Sequence, residues 1–429
     1  MACCHRSTLS SIALLICVTL TSVSHVTGVS TQCQGSNNSF PLYTESPVFL
    51  ESVANGKLYQ AGTGNDTFYV VHLWGTPYEQ GFAQGQLLKS QIQAVTPMMM
   101  AYIDAQIHSA VPTLPQWLVD LIGAFGAPYL LEMTFNNTKA FAPQAYLDEM
   151  QGIADGAGVS VKDIQNYNMF PELTKAACSI VGANGGATPN GQLSQLRALD
   201  FDPTCPMKDF AQVTIYHDAD GLTYANFGWS GMIGVLTGLS NTTLGIGEKV
   251  WIKHPKGVDG THGEPWMFVL RDALTAPNMD AALSRIQNAN RTCAIHVGVG
   301  DSTTNTFNGL TIAAGAYDVY NWTSLNWTAH PIIEDVFYWD KHTQPSNDPC
   351  LGEYLQEYWG RLTAETLATK VAASYATGNM HCITFDYAAN IAYVANARKT
   401  TVTSGSLNAY HRQFTSLNLA ELWSMSPPS

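Results

Sequence analysis

A thiol that attacks an amide or an ester needs a base and a group that holds the oxyanion. A chain cut immediately before a cysteine supplies the base itself, because the freed α-amino group titrates near ~8 and can take and return the thiol proton. Cys178, Cys293 and Cys382 all open strand-like runs. Only Cys178 follows two small residues, Ala176 and Ala177, at the point where helical sequence gives way to strands, and a cut at Cys382 would leave too little chain for a catalytic subunit. Cys178 is the preferred nucleophile, and chemistry alone leaves Cys293 open. The run CSIVGANGGATPNGQLSQLRALDFD reads as strand, turn and strand, a hairpin that returns Arg197 and Asp200 to the neighbourhood of Cys178. An R-x-x-D run there can fix the charge around a thiolate, although an Arg–Asp pair on a strand edge is more often structural.

The elements that must carry these residues follow from periodicity and turn chemistry. FYVVHLWG (68–75) reads as a strand, and 76–108 as a helix with a Thr cap, Pro at its first turn and an end or kink at Pro97. Helical stretches over 115–135, interrupted by Pro128, over 143–159 with a Gly-rich stop, and from 160 make the first part of the chain mainly helical. From Cys178 strands take over at CSIVGA, QLSQLRALDF, FAQVTIYH, LTYANFGW and TTLGIGEKVWI. Helical sequence returns over 265–290, divided by Pro277, and further strands fall at CAIHVGVG, LTIAAGAYDVY, HCITFDYA and IAYVANA, with a helix over 364–375. Strand-rich blocks with helices before and between them imply a layered α+β domain in which helices cover two packed sheets.

Residues 7–23 form one apolar stretch behind His5 and Arg6, the pattern of a cleaved secretory signal peptide ending near residue 28. No later run is long and apolar enough to span a membrane, so stable membrane insertion is not expected. Sequons begin at Asn37, Asn65, Asn136, Asn241, Asn290, Asn321 and Asn326, which points to an N-glycosylated protein that is secreted or lysosomal. The formal net charge of -13 argues against a nucleic-acid partner and suits an acidic compartment. Outside the signal, six cysteines remain: Cys33, Cys178, Cys205, Cys293, Cys350 and Cys382. They allow three disulfides, or, with Cys178 catalytic, at least one unpaired thiol unless Cys33 is trimmed away.

Other chemistries lack their signatures. There is no H-E-x-x-H, paired C-x-x-C or EF-hand loop, so neither a metal nor another cofactor is signalled. GWSGM around Ser230 is not a nucleophile elbow, and GVGDS at 298–302 lacks the third Gly and the helix of a dinucleotide fingerprint. His72, His217, His296 and His381 sit in strand-like runs, where core or edge positions outnumber catalytic ones.

The block from Leu147 to Asp202, with LDEMQGIADGAGVSVKDIQNYN, ELTKAACSIVGANG and GQLSQLRALDFD, resembles the N-terminal-cysteine hydrolases of the penicillin acyltransferase, acid ceramidase and bile-salt hydrolase group. GEPWMFVLRDAL, RTCAIHVGVGD and HPIIEDVFYWDKHTQPSNDPCL are similar to its secreted acid-ceramidase-like members. The resemblance implies an αββα sandwich of the N-terminal-nucleophile hydrolase fold, with a signal peptide (1–28), a mainly helical chain (29–177) and a catalytic chain (178–429) that stay associated after self-cleavage. It implies that Cys178 is nucleophile and new N-terminus, that Arg197 contacts the thiol and that Asp200 binds the α-amino group. Where the family pattern has Gly before the Arg and Asn after it, this chain has Leu196 and Ala198. The family's oxyanion Asn should fall near His330-Pro331, which leaves Asn321 and Asn326, with Asn326 nearer; both open sequons, and a glycan would exclude either. Ser240 or Asn241 is then the next place to look. The implied reaction is hydrolysis or acyl transfer at a linear amide, the substrate being a lipid amide such as a ceramide or an N-acyl-ethanolamine. The alternatives are a phospholipase B-like lipid ester hydrolase and a secreted glycoprotein that has lost its activity.

Overall fold

The computed structural model describes residue 33 and residues 35–110, 126, 128–174, 176–255, 257–260, 262–325 and 330–429. The signal-peptide assignment and Asn326 lie outside the described residues. In chain order the strands β1 (Val48–Val53), β2 (Gly56–Ala61) and β3 (Phe68–Trp74) come first. Five helices follow: α1 (Pro77–Leu87), α2 (Lys89–Ala110), α3 (Pro128–Thr138), α4 (Gln144–Ala157) and α5 (Val161–Leu173). The chain then forms β4 (Ala177–Gly185), β5 (Gly191–Asp200), β6 (Ala211–His217), β7 (Thr223–Trp229), β8 (Thr237–Ser240) and β9 (Leu244–Val250). Helices α6 (Trp266–Leu274) and α7 (Met279–Asn288) lead to β10 (Ile295–Asp301), β11 (Thr306–Ala313), β12 (Ala316–Tyr320) and β13 (Val336–Trp339). Helix α8 (Cys350–Glu357) and a helical run over 364–375 precede β14 (His381–Asp386), β15 (Ile391–Asn396) and β16 (Thr415–Asn418).

These strands make two sheets. One has ten strands in the order β1-β2-β3-β6-β7-β8-β9-β10-β11-β12, and the other six in the order β13-β4-β5-β14-β15-β16. All pairings are antiparallel except β3 with β6. The sheets pack face to face, and glycines make the close approach possible. A Cβ on Gly247 would come within 2.8 Å of the Arg197 side chain, one on Gly298 within 2.5 Å of Ile180, and one on Gly309 within 1.9 Å of Phe337. The outer face of the six-stranded sheet, with Val181, Leu196, Ala198 and Cys382, packs under Leu351, Leu355, Leu367 and Val371 of the helical segments. The larger core joins the inter-sheet residues to α1–α7. The architecture is therefore an α+β, four-layer αββα sandwich.

The expected Thr cap is present and is part of a capping box: Thr76 Oγ1 accepts from the Glu79 amide while the Glu79 carboxylate accepts from the Thr76 amide at 2.8 Å. The single helix expected over 76–108 is two, separated at Leu88, and Pro97 lies within α2 without ending it. Pro128 stands at the start of α3, as a residue with no N–H to donate can, and apart from residue 126 the part of the expected 115–135 helix before it lies outside the described residues. LTIAAGAYDVY folds as the hairpin β11–β12 and not as one strand, turning at Ala314-Gly315. The first part of the chain is less purely helical than expected, because β1, β2 and β3 extend the ten-stranded sheet through the parallel β3–β6 pair.

Candidate active site

The hairpin read from the sequence forms as β4–β5, with Ala177 opposite Asp200, Cys178 opposite Leu199 and Ile180 opposite Arg197. Side chains alternate across a strand, so Cys178, Ile180, Arg197 and Leu199 share the face that looks into the inter-sheet space. Arg197 is fully buried there. Its Nη2 donates to Cys178 Sγ at 3.5 Å and to Glu248 Oε2 at 3.1 Å, and its Nε donates to the Glu248 carbonyl at 3.1 Å. The thiol, the guanidinium and the carboxylate thus form one buried cluster across the two sheets.

Burial pushes the Cys178 thiol up to about 12; Arg197 draws it down, and Glu248 raises it further. Burial thus favours the protonated sulfur in the intact chain. Burial likewise raises the Glu248 carboxyl against the pull of Arg197.

Asp200 sits at the end of β5 beside the Ala177–Cys178 peptide. Its Oδ1 accepts from the amides of Gly378 and Asn379 at 2.8 and 3.1 Å, and its Oδ2 accepts from the Thr377 hydroxyl at 2.6 Å. That hydroxyl also meets Ser179 Oγ at 2.7 Å. Such a cradle fixes the carboxylate where a new N-terminal ammonium would emerge.

Leu196 and Ala198 face the other way, into the helix-covered core of the six-stranded sheet. The two departures from the family pattern therefore do not line the space around the thiol.

Of the two expected oxyanion asparagines, Asn326 lies outside the described residues, and Asn321 is away from the thiol. Asn321 is exposed, and its Oδ1 accepts from the Thr323 amide at 3.0 Å, the Thr323 hydroxyl at 2.7 Å and the Ser324 amide at 3.0 Å. Closing its own turn in this way, it takes no part at the thiol, which corrects that assignment. Sequence distance from His330-Pro331 was a poor guide because His330 is turned inward to Asp340, at 2.9 Å, while the turn at 321–324 stays at the surface. Neither fallback residue serves: Ser240 Oγ meets Thr242 Oγ1 at 2.7 Å, and exposed Asn241 donates to the Gly221 carbonyl at 3.0 Å.

Two residues that the sequence reading passed over stand beside the thiol instead, Glu248 and Lys249, both buried on β9. A signal existed: a Glu-Lys pair inside the otherwise apolar run TTLGIGEKVWI is unusual for a strand buried on both faces. Cys293, the other thiol left open, is half-buried and donates to the Glu172 carboxylate at 3.3 Å, with no new strand end at its back.

An apolar pocket lies beside Leu199, the register partner of Cys178, without the thiol in its lining. It is lined by Leu199, Trp229, Leu236, Trp266, Phe201, Met207, Met380 and Glu248, and by Phe170, Pro171, Thr174 and Ala176 of the segment before the Ala177–Cys178 peptide. Its free space, counting what is open to solvent, is about 460 Å³. Three disulfides do not form: Cys33 is bonded to Cys350, and Cys178, Cys205, Cys293 and Cys382 are thiols. Among the described residues no group of three or more His, Cys, Asp or Glu side chains is placed to hold a metal ion, and no helix is long and apolar enough to cross a membrane.

No protein-family model matches the chain. Protein dcd1A of Dictyostelium discoideum is 38% identical over 419 residues, covering 92% of this chain and 94% of that protein. Protein dcd1B of the same organism is 36% identical over 410 residues, covering 91% and 81%. Among solved structures, the chain is similar to a Caenorhabditis elegans ortholog of N-acylethanolamine-hydrolyzing acid amidase at a TM-score of 0.37 and 15% identity, over 49% of this chain and 93% of that one. It is also similar to penicillin V acylase from Agrobacterium tumefaciens at a TM-score of 0.37 and 8% identity, over 59% and 98%. Likenesses this loose leave the fold to be judged from its own strand order and sheet faces.

Proposed function

The chain belongs to the family of Protein dcd1A and Protein dcd1B, whose names state no chemistry, and from the geometry of its own site we propose that it is a self-processing amide hydrolase or acyltransferase. Cys178 is the nucleophile, released by cleavage of the Ala177–Cys178 bond. The observation that carries this reading is a buried thiol at the start of a strand, 3.5 Å from a fully buried guanidinium, with a cradled aspartate opposite the peptide to be cut.

The reaction follows from those contacts. Cys178 Sγ adds to the carbonyl carbon of a linear amide, its proton passes by way of the freed α-amino group to the leaving nitrogen, and the C–N bond breaks to give a thioester and an amine. Water, or an acceptor amine, then attacks the thioester and regenerates the thiol. Arg197 stabilises the sulfur as it gains negative charge, and Asp200 orients the ammonium. Before the cut there is no α-amino group and the thiol is held near 12, which keeps the precursor inert toward external substrate.

A lipid amide such as a ceramide or an N-acyl-ethanolamine suits the pocket, whose Trp229, Trp266, Phe201, Met207 and Met380 would take an apolar acyl chain. The six described sequon asparagines are all exposed, which supports a glycosylated, secreted or lysosomal protein. The two chains would stay together through the Cys33–Cys350 bond and the β3–β6 pairing, both of which cross the cut. Purified mature protein is to be offered N-palmitoyl-ethanolamine, a ceramide and a phosphatidylcholine, with Cys178→Ala as control. Release of fatty acid from the amides, abolished in the variant, is expected; release from the phosphatidylcholine alone would move the assignment to an ester hydrolase, and no release from any would oppose enzymatic activity.

A further inference from the structure

Lys249 is a lysine that a purely structural account leaves without a purpose. It is buried to 1% exposure on β9, and its Nζ makes no hydrogen bond among the described residues. A buried ammonium with no partner destabilises a fold, and such a group persists where something else requires it.

Its direction is set by the strand. Gly247, two residues earlier and hence on the same side of β9, is packed against Cβ and Cγ of Arg197, so Lys249 points from β9 into the inter-sheet space that holds Arg197 and Cys178. Directly across β10 lies His296. The His296 ring stands 4.6 Å from that of Trp339, and Trp339 is the register partner of Ile180, two residues from Cys178. The groups facing the ammonium are thus Cys178 on β4, Arg197 and Asp200 on β5, Glu248 on β9, His296 on β10 and Asp340 after β13. Burial lowers the proton affinity of Lys249, against which Cys178, once ionised, and the carboxyl groups of Asp340, Glu248 and Asp200 raise it.

Around the thiol, Arg197 Nη2 is engaged by Glu248 and the sulfur while its Nη1 has no hydrogen-bond partner, Asp200 is held by its three donors, and Asn321 is at the surface; Asn326 lies outside the described residues. The free N–H donors that this leaves in the described cluster are Arg197 Nη1 and Lys249 Nζ.

We propose that Lys249 Nζ is an oxyanion donor of this site. The assignment rests on the self-processing reading above. When Cys178 Sγ bonds to the carbonyl carbon, the C=O π pair moves onto oxygen and the N–H groups of Lys249 meet it. When the C–N bond breaks, with the thiol proton ending on the departing nitrogen, the carbonyl re-forms as a thioester and the donor is free again. The same contact serves the Ala177 carbonyl during self-cleavage and the substrate carbonyl during turnover.

The test compares the full-length wild-type precursor with Lys249→Met and Lys249→Gln. Self-cleavage is followed on reducing gels and by intact mass, and turnover with the N-dodecanoyl amide of 7-amino-4-methylcoumarin. Met should slow cutting roughly 10²-fold, the loss of one oxyanion donor, while Gln, which keeps an N–H of similar reach, should recover to within about tenfold of wild type. In a Cys178→Ala background, Lys249→Met should melt no lower than its parent, since it removes an unpartnered charge. Cutting by the Met variant at the wild-type rate, a Gln variant as slow as the Met variant, or a clear loss of melting temperature would each overturn the assignment. A wild-type chain that never cuts would overturn the processing reading along with it, whereas a wild type that cuts beside an equally fast Met variant overturns only the role of Lys249.

Discussion

Two arginine–glutamate pairs are buried among the described residues, and they are satisfied to very different degrees. Arg271 donates to Glu149 at 2.6 Å, to the Ile233 carbonyl at 3.2 Å and twice to the Tyr224 hydroxyl, at 3.0 and 2.8 Å. The Tyr146 and Tyr216 rings lie 4.6 and 4.2 Å from its guanidinium carbon, and Tyr216 donates to the other oxygen of Glu149 at 2.7 Å. In the pair at the thiol, Arg197 Nη1 and Glu248 Oε1 have no hydrogen-bond partner, and Lys249 Nζ beside them has none. A finished polar network holds a structure in one arrangement, while an unfinished one keeps capacity for a molecule still to come. Glu149 lies on α4 and Arg271 on α6, on opposite sides of the proposed cut, so the finished pair fastens the chain before Cys178 to the chain after it.

The largest effect expected from this contrast is on stability. Arg271→Met strands a buried glutamate and should cost about 3–5 kcal/mol, read by chemical denaturation, with little change in turnover per folded molecule. Arg197→Met should do the reverse. It should lower turnover roughly 10²-fold with a smaller loss of stability, because fewer hydrogen bonds are lost. Equal stability losses with unchanged turnover in both would abolish the distinction. Asp200→Asn, which keeps the shape of the cradle under residues 377–379, should lower turnover by a similar factor of roughly 10² while shifting the melting temperature little. Near-normal activity in that variant would return Asp200 to a structural role.

Much of the cluster around Cys178 is legible in the sequence because its parts are local. A strand, a turn and a strand return Arg197 and Asp200 to Cys178 whatever surrounds them, and the register needs only the hairpin. Glu248 and Lys249 reach the thiol from the opposite sheet, a meeting made by the stacking of two sheets and encoded in no short spacing. The same limit explains the Asn321 error, since nearness in sequence to His330 was taken for nearness in space. Short strands such as β8, β13 and β16 escaped notice because four residues carry too little alternation, and β1 because its side chains are almost all exposed. The helix break at Leu88 carries no Gly or Pro signal; the chain restarts there as α2, whose close neighbours decide its direction.

The smallest effect separates the two regions by pH. Glu172, on α5 five residues before the proposed cut at Ala177, is buried; that burial raises its carboxyl to about 7 in spite of donors from the Trp266 amide and the Thr292 hydroxyl. The folded chain then holds its proton more tightly than the unfolded chain, so this group's contribution is full below about 4.5 and fades as pH rises to about 7. Glu264, raised to about 8, acts in the same direction, whereas His72 and His381, lowered to about 3, add stability that is lost as pH falls below about 6.5. The difference between parent and Glu172→Gln, both in a Cys178→Ala background, isolates the first contribution. The parent's melting temperature should fall more steeply between pH 4.5 and 7 than the variant's, and parallel curves would remove Glu172 from the account.

The central claim is that the unfinished cluster becomes an active site when the chain is cut before Cys178. Mature protein isolated from its native compartment should run as one species on a non-reducing gel, held by the Cys33–Cys350 bond, and as two on a reducing gel. N-terminal sequencing of the larger fragment should then read Cys-Ser-Ile-Val from Cys178, with Cys178→Ala remaining a single chain under both conditions. Fully active material that is uncut, or a larger fragment beginning at any other residue, would contradict it.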